Sequence, residues 1–202
     1  KGRTIFIQNL FEDENISPLI WKHFVPVIVN EDKYADLYLP IKGKRKQNYI
    51  DKFNDDSIKI LDINGNILNA NDYTEDYENI TQIIEKYALD TSFITPELIG
   101  YKNEKNFLSA YYLASKYLDF ALFAGAKTRA SIIELSNLYL EEAEAFAAIN
   151  KDENSAMLKQ RSELLRIQQY LIYKRPKKVL RSLKKIEKEV IETNNKSFVA
   201  FL

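Results

Sequence analysis

The apolar positions of the chain follow two different patterns, which change near residue 95. Before this point, short apolar runs alternate with turn-forming residues, as is typical of strands and helices that follow each other closely. After it, apolar side chains recur every three or four positions over long stretches, which predicts helices. We therefore predict two domains, an α/β domain over residues 1–94 and an all-helical domain over residues 95–202.

The pattern of the first domain predicts a sheet accompanied by two helices. Helical spacing covers residues 14–23 and 75–87, and Asn64-Gly65 predicts the tight turn of a hairpin because both residues tolerate a positive φ. The run over residues 24–29 is apolar throughout, as expected of a central strand that is covered on both faces. Short runs rich in β-branched or aromatic residues predict strands at residues 4–7, 24–29, 57–63 and 66–68.

The second domain opens with Thr95-Pro96, in which a residue suited to a helix N-cap precedes a proline suited to the first helical position. Four helices are predicted in this domain, each of roughly 15 to 20 residues. Their apolar stripes begin near Phe107, after Lys127, near Ser155 and at Pro176. Short loops between them favour two antiparallel pairs, arranged as a four-helix bundle or as stacked repeats.

Two stretches of the first domain carry a resemblance to a known superfamily. Residues 11–27 read FEDENISPLIWKHFVPV, and residues 60–68 read ILDINGNIL. Together they resemble the thioredoxin-like superfamily, in which a helix ends in a Phe-Val pair that opens the central strand and a later strand leads into a hairpin. The resemblance covers about residues 4–90 and implies a thioredoxin-like scaffold.

The chain departs from that superfamily at both positions that carry its chemistry. Where the redox motif is expected, residues 8–13 read QNLFED and contain no cysteine, and the position of the cis-proline falls on Asp56-Ser57. The resemblance therefore implies a scaffold without thiol–disulfide chemistry, which keeps at most a binding role. It also favours a periplasmic or other extracytoplasmic location, because exported thioredoxin-like proteins carry helical extensions. The alternative is an oxidoreductase whose Cys motif lies upstream of Lys1.

The second domain resembles tetratricopeptide-type repeats, whose unit is about 34 residues. The resemblance rests on the small and aromatic residues of the stretch 112–118, YLASKYL, and on proline near a helix boundary. It implies stacked helical hairpins that present grooves to a partner. A plain four-helix bundle is the alternative, because two hairpins alone are fewer than the three repeats that a solenoid needs.

Composition excludes several classes of chemistry. The chain has no cysteine and one histidine, which excludes disulfides, thiolate metal sites and thiol nucleophiles and leaves little imidazole chemistry. Neither a Gly-x-Ser-x-Gly motif nor a Gly-rich phosphate loop occurs. No apolar run approaches the roughly 20 residues of a membrane span. We therefore expect no enzymatic activity, no cofactor, no metal and no membrane span.

The 29 basic and 29 acidic residues are unevenly distributed along the chain. Residues 1–98 carry 11 Lys/Arg and 17 Asp/Glu, a net charge of −6, and residues 99–202 carry the opposite net charge of +6. Residues 174–188 alone hold eight cations and one acid, Glu187. Such a run attracts acidic partners, but no aromatic or amide side chains are interleaved to read bases, which argues against nucleic acid.

The chain also ends on an apolar tail, residues 197–202, which either folds back onto the helices or docks on a partner. From these observations we expect a non-catalytic protein-binding or assembly module whose partner is another protein. A binder of anionic surfaces or nucleic acid that uses the fourth helix is a further alternative. The candidate partner-binding residues are Lys174, Arg175, Lys177, Lys178, Arg181, Lys184, Lys185, Phe198, Phe201 and Leu202.

Overall fold

A computed structural model describes residues 10–72, 80–149, 154–188 and 191–202 of the chain. The chain divides into two compact units, unit 1 over Lys1–Asp90 and unit 2 over Thr91–Leu202. The division falls a few residues before the change of pattern near residue 95.

Unit 1 is helical where the sequence predicts a sheet. Within its described residues no strand is present, and a single antiparallel bridge joins Leu61 to Ile67. The prediction of a thioredoxin-like α/β domain is therefore wrong. The predicted extracytoplasmic location and the alternative of a Cys motif upstream of Lys1 both rested on that resemblance and have no further support. The helices are α1 (Ser17–His23), α2 (Tyr34–Tyr38), α3 (Gln47–Asn54) and α4 (Ile80–Tyr87).

Backbone pairing in the predicted hairpin is limited to two hydrogen bonds, from the Leu68 amide to the Ile60 carbonyl at 2.7 Å and from the Asp62 amide to the Asn66 carbonyl at 3.0 Å, and side chains satisfy further backbone groups. The Asn69 side chain accepts a hydrogen bond from the Ile60 amide at 2.8 Å and donates one to the Ile58 carbonyl at 2.9 Å. The Ile67 amide donates to the Tyr49 hydroxyl at 3.0 Å. Buried backbone groups need a partner, and here Asn69 and a tyrosine of α3 supply it. The β-branched pattern over residues 57–63 therefore does not produce a ladder.

The turn itself forms where the sequence predicts it. Gly65 has a φ of 84°, a conformation that a side chain would strain, and its amide donates to the Asp62 carbonyl. The Asp62 carboxylate accepts hydrogen bonds from the amides of Asn64 and Asn66. The chain therefore reverses at Asn64-Gly65, but the pairing ends after one bridge.

The predicted central strand is also absent. Phe24 leaves α1 with an extended backbone, φ −135° and ψ 160°, and the next helical turn begins only at Glu31. Val25, Val27 and Ile28 are 87%, 73% and 83% exposed. The apolar run thus lies on the surface of unit 1 rather than in the middle of a sheet. The predicted strand at residues 4–7 lies outside the described residues.

Two helices of unit 1, α2 and α3, lie between the predicted strands at residues 24–29 and 57–63, where no element was predicted. The short helix α2 contributes Tyr34 and Tyr38, whose rings both contact Phe53 of α3 at centroid distances of 5.5 and 6.0 Å. Helix α3 also buries Tyr49. These rings are partly buried, and helix α4 contributes the largest group of buried apolar residues in unit 1, namely Ile80, Ile83, Ile84 and Tyr87.

Unit 2 contains the helices that its apolar stripes predict. Helices α6 and α7 pack along each other, α8 contacts both of them, and α9 packs on α8. The pair α6 and α7 covers 43 residues and the pair α8 and α9 covers 32, so the two hairpins differ in length. The helices are α5 (Thr95–Asn103), α6 (Phe107–Phe123), α7 (Ala126–Ile149), α8 (Ser155–Ile172), α9 (Pro176–Ile186) and α10 (Lys196–Phe201).

The core of unit 2 lies between α6 and α7. Tyr139 is completely buried and its ring stacks on Tyr117 at 5.6 Å and meets the edge of Tyr101 at 5.1 Å. Ser136 donates to the Ala114 carbonyl at 2.7 Å, a contact that brings the two helices close. Small residues and tyrosines at the contact therefore serve helix packing.

Among the described residues, no helix combines the length and hydropathy that crossing a membrane requires.

Candidate functional site

Helix α9 presents its cations on one side. Pro176 occupies the first turn, where the missing amide costs nothing. At about 100° per residue, the five cations within the helix fall in an arc of about 120°. All seven predicted cations are exposed, and we call this set the basic surface. Its members are Lys174, Arg175, Lys177, Lys178, Arg181, Lys184 and Lys185.

The opposite side of α9 is anchored in the core of unit 2. Val179 and Ile186 are 2% and 1% exposed, and they pack with Leu164 and Ile167 of α8. Each such side chain contributes about 1.5–3 kcal/mol when it leaves water. Because this apolar side is held against α8, the cations are forced outward.

The loop before α9 holds the first cations in place. Lys174 has a φ of 54°, the left-handed conformation that ends many helices, and its amide donates to the Leu171 carbonyl. The Arg175 amide donates to the Tyr170 carbonyl at 2.8 Å. Lys178 then lies 5.2 Å from the centre of the Tyr170 ring. The start of the basic surface is therefore fixed by the end of α8.

In the part of the chain that the structure describes, no acidic side chain forms an ion pair with the basic surface. The ion pairs found there join Lys52 and Lys59 to Asp55, Lys86 to Asp72, and Arg166 to Glu144. Eight cations in fifteen positions thus face solvent with Glu187 as the single acid of the run. That density of charge produces a local positive field even though the whole chain is neutral.

The apolar tail is divided between core and surface. Phe198, Val199 and Leu202 pack against the cluster that α8 and α9 form. Phe201 is 67% exposed. The turn that precedes α10 is held by Asn195, which is fully buried and donates to the Met157 carbonyl at 3.0 Å. Of the three tail residues predicted to bind a partner, Phe201 is therefore the most accessible.

A shallow groove in unit 2 is lined by aromatic and acidic side chains of α5 and α6. Tyr101, Leu108 and Tyr112 form its apolar part, and Glu97 lies at its edge. The Tyr101 hydroxyl donates to the Glu142 carboxylate. Grooves between helices were predicted from the sequence, but no pattern in the sequence selected these residues.

A buried charged cluster in unit 1 was missed by the sequence analysis. Lys52 is 4% exposed, donates to the Ser57 hydroxyl at 2.6 Å and lies 3.7 Å from the Asp55 carboxylate. The Ser57 hydroxyl in turn donates to Asp55 at 2.5 Å. Because this hydroxyl is engaged by both charged groups, the cluster is a structural network rather than an activated nucleophile. Its three residues lie close together in sequence, at the end of α3 and in the loop that follows, and the local pattern gave no sign that Lys52 is buried.

The environment of this cluster shifts the pKa of two groups. Burial lowers the pKa of Lys52 below its ordinary value of 10.5, although Asp55 partly opposes this effect. Burial alone would raise the pKa of Asp55, but hydrogen bonds from Ser57 and Lys59 and the charge of Lys52 place it below its ordinary value of 3.8. Asp55 is therefore ionised at neutral pH, and its carboxylate is the opposite charge nearest to the buried Lys52 side chain.

No group of three or more metal-ligating side chains occurs among the described residues. Comparison of the chain with protein-family models, with curated proteins and with solved structures found no match. Function therefore has to be inferred from the residues and geometry of this chain.

Replacing Asp55 with asparagine tests the buried cluster. The substitution leaves the Lys52 ammonium group opposite a neutral amide, so the free energy of unfolding of unit 1 falls by about 1–3 kcal/mol at neutral pH. In the parent protein the stabilisation by Asp55 is complete above pH 3.8, the ordinary pKa, and is lost as the pH falls through the lower pKa of the folded state. Urea unfolding, followed by the fluorescence of Trp21, measures both effects. An Asp55→Asn protein with unchanged stability and unchanged acid sensitivity would contradict this account.

Two alanine substitutions test how the tail is divided. Phe198→Ala removes a ring that packs on the α8 and α9 cluster, and we expect it to lower the free energy of unfolding of unit 2 by about 1–3 kcal/mol. Phe201→Ala removes a mostly exposed ring, and we expect a change within about 0.5 kcal/mol. Urea unfolding followed by circular dichroism compares them. Equal losses from both substitutions would show that the tail packs differently.

Proposed function

We propose that this chain is a non-catalytic protein-binding module, and that the basic surface of α9 contacts an acidic surface of another protein. The observation that carries the proposal is a dense set of exposed cations on a helix whose other side is buried in the core. A charged surface of this kind attracts partners of opposite charge and raises the rate of association.

The fixed position of α9 against α8 supports a binding role. Val179 and Ile186 anchor the helix against α8, and the Lys174 turn fixes its start. The backbone that carries the cations is therefore ordered before a partner arrives, so association costs less conformational entropy than it would for a flexible basic segment.

The chemistry around the cations favours a protein over a polyanion. Leu180 is 60% exposed at the border of the basic surface and adds an apolar contact, as protein interfaces commonly do. Ser182 is the only uncharged polar residue of α9, so the helix lacks the amide and aromatic side chains that read nucleic-acid bases. Insertion of α9 into a membrane surface would require its buried Val179 and Ile186 to leave the core.

A charge-reversal variant tests the proposal. Lys177, Lys178, Lys184 and Lys185 are changed together to glutamate, and the protein is used to capture partners from nuclease-treated native extract with chemical crosslinking. The variant should recover at least about tenfold less of any stoichiometric partner, because four attractive contacts become repulsive. Capture by the parent protein should weaken as salt rises from about 50 to 500 mM.

A matched control separates the surface from net charge. Lys42, Lys44, Lys102 and Lys127 are also exposed but lie outside α9, and their change to glutamate alters the net charge by the same amount. This control should retain the partner. Equal losses from the two variants, or equal recovery, would refute a specific role of α9. A partner lost only after nuclease treatment would assign the surface to nucleic acid instead.

A further inference from the structure

Residues 24–30 form an exposed connection between α1 and the turn Glu31–Lys33, and their sequence is FVPVIVN. The backbone is extended at Phe24 and at Asn30. Pro26 sets its own φ near −65° and holds the residue before it in the extended region. The segment is thus extended at both ends, forms no helix, and has the composition of a strand, with three valines and one isoleucine.

The hydrogen-bonding groups of this segment are open as well. Between described residues, no backbone hydrogen bond involves residues 25–29, although the flanking Phe24 and Asn30 each take part in one. Val25, Val27 and Ile28 are 87%, 73% and 83% exposed. An extended apolar segment with open amides and carbonyls is a template for pairing with another strand.

We propose that residues 25–29 pair with the same segment of a second copy of this chain, as an antiparallel ladder centred on Val27. In an antiparallel ladder every second residue directs its amide at the partner strand. Pro26 has no amide and must therefore occupy an outward position, which directs the amides of Val25, Val27 and Val29 toward the partner. Val27 then pairs with itself, Val25 pairs with Val29, and about six backbone hydrogen bonds form.

Charge complementarity selects a second copy in the antiparallel direction. Lys22 precedes the segment and Asp32 follows it, and both are exposed. In the ladder centred on Val27, Lys22 of each copy lies at the same end as Asp32 of the other. A parallel pair would place Lys22 beside Lys22 and Asp32 beside Asp32, which like charges disfavour. The valines of both copies would share one face of the ladder.

The pairing is expected to be weak. Two short strands bury less surface than a stable protein interface requires, so the dissociation constant is on the order of 100 µM. The assembly is independent of the basic surface, and the variant with four reversed lysines in α9 should dimerise as the parent protein does. Failure of one proposal therefore leaves the other testable.

Single cysteines test the register, because the chain has no cysteine of its own. In the full chain with Val27→Cys, the Cα atoms of residue 27 in the two copies would lie about 5.5 Å apart. A disulfide spans this distance. Ile28→Cys is the matched control. Residue 28 lies opposite Pro26 of the second copy, and residue 28 of that copy is about 8 Å away, too far for a disulfide. Under mild oxidation at about 100 µM protein, Val27→Cys should form mostly disulfide-linked dimer and Ile28→Cys at least about fivefold less.

Two charge-reversal variants, made without any added cysteine, test the direction of pairing. Sedimentation in the analytical ultracentrifuge measures how strongly each of them dimerises. Lys22→Glu and Asp32→Lys should each weaken dimerisation roughly tenfold, because both ends of the pair then carry like charges. An equimolar mixture of the two variants should recover the parent affinity within about twofold, because every end again joins opposite charges. This recovery also shows that neither variant is misfolded.

Three results would overturn the proposal. The parent chain could remain monomeric up to about 1 mM, well above the expected dissociation constant. The two cysteine variants could crosslink to the same extent. The mixture of charge variants could associate no better than either variant alone, in which case another strand, or another surface, would be the contact.

Discussion

Burial of the apolar side of α8 is the contact on which the architecture of unit 2 depends. Leu164 and Leu165 of this helix are completely buried, and α8 contacts α6, α7 and α9. The C-terminal turn and part of the tail pack on it as well. One helix therefore organises its neighbours on several sides, and the position of every charged group on α9 follows from that packing.

The two units provide hydrogen-bond partners for their backbone amides and carbonyls in different ways. In unit 2 the long helices pair their own amides and carbonyls, and side chains are free to fill the core. In unit 1 the helices are short, backbone pairing is limited to one bridge, and the side chains of Asn69 and Tyr49 satisfy backbone groups beside that bridge. The cost is visible on the surface, because apolar residues such as Trp21 and Val25 remain exposed.

The two proposed surfaces differ in their physics. The basic surface acts over distance through charge and is sensitive to salt, and its rigidity comes from Val179 and Ile186. The segment around Val27 acts only on contact, through backbone hydrogen bonds and burial of β-branched side chains. One surface suits recruitment of an acidic protein and the other suits self-association, so an assembly module could use both at once.

The sequence by itself determined the helices of unit 2, because apolar side chains between Phe107 and Ile186 recur every three or four positions, a spacing that fits a helix and not a strand. It also determined the Asn64-Gly65 turn and the basic composition of α9, since both depend on local residues. The fold of unit 1 was decided by tertiary structure. Residues 57–68 have the pattern of a hairpin, yet backbone pairing stops after the bridge between Leu61 and Ile67, and the Ile60 amide donates to the Asn69 side chain instead of to the opposite arm. Tertiary structure also decided that Lys52 is buried, although its partners Asp55 and Ser57 are close in sequence, and it decided which tail residues pack. Burial and hydrogen bonding across distant segments are properties of the folded chain, and no local pattern encodes them.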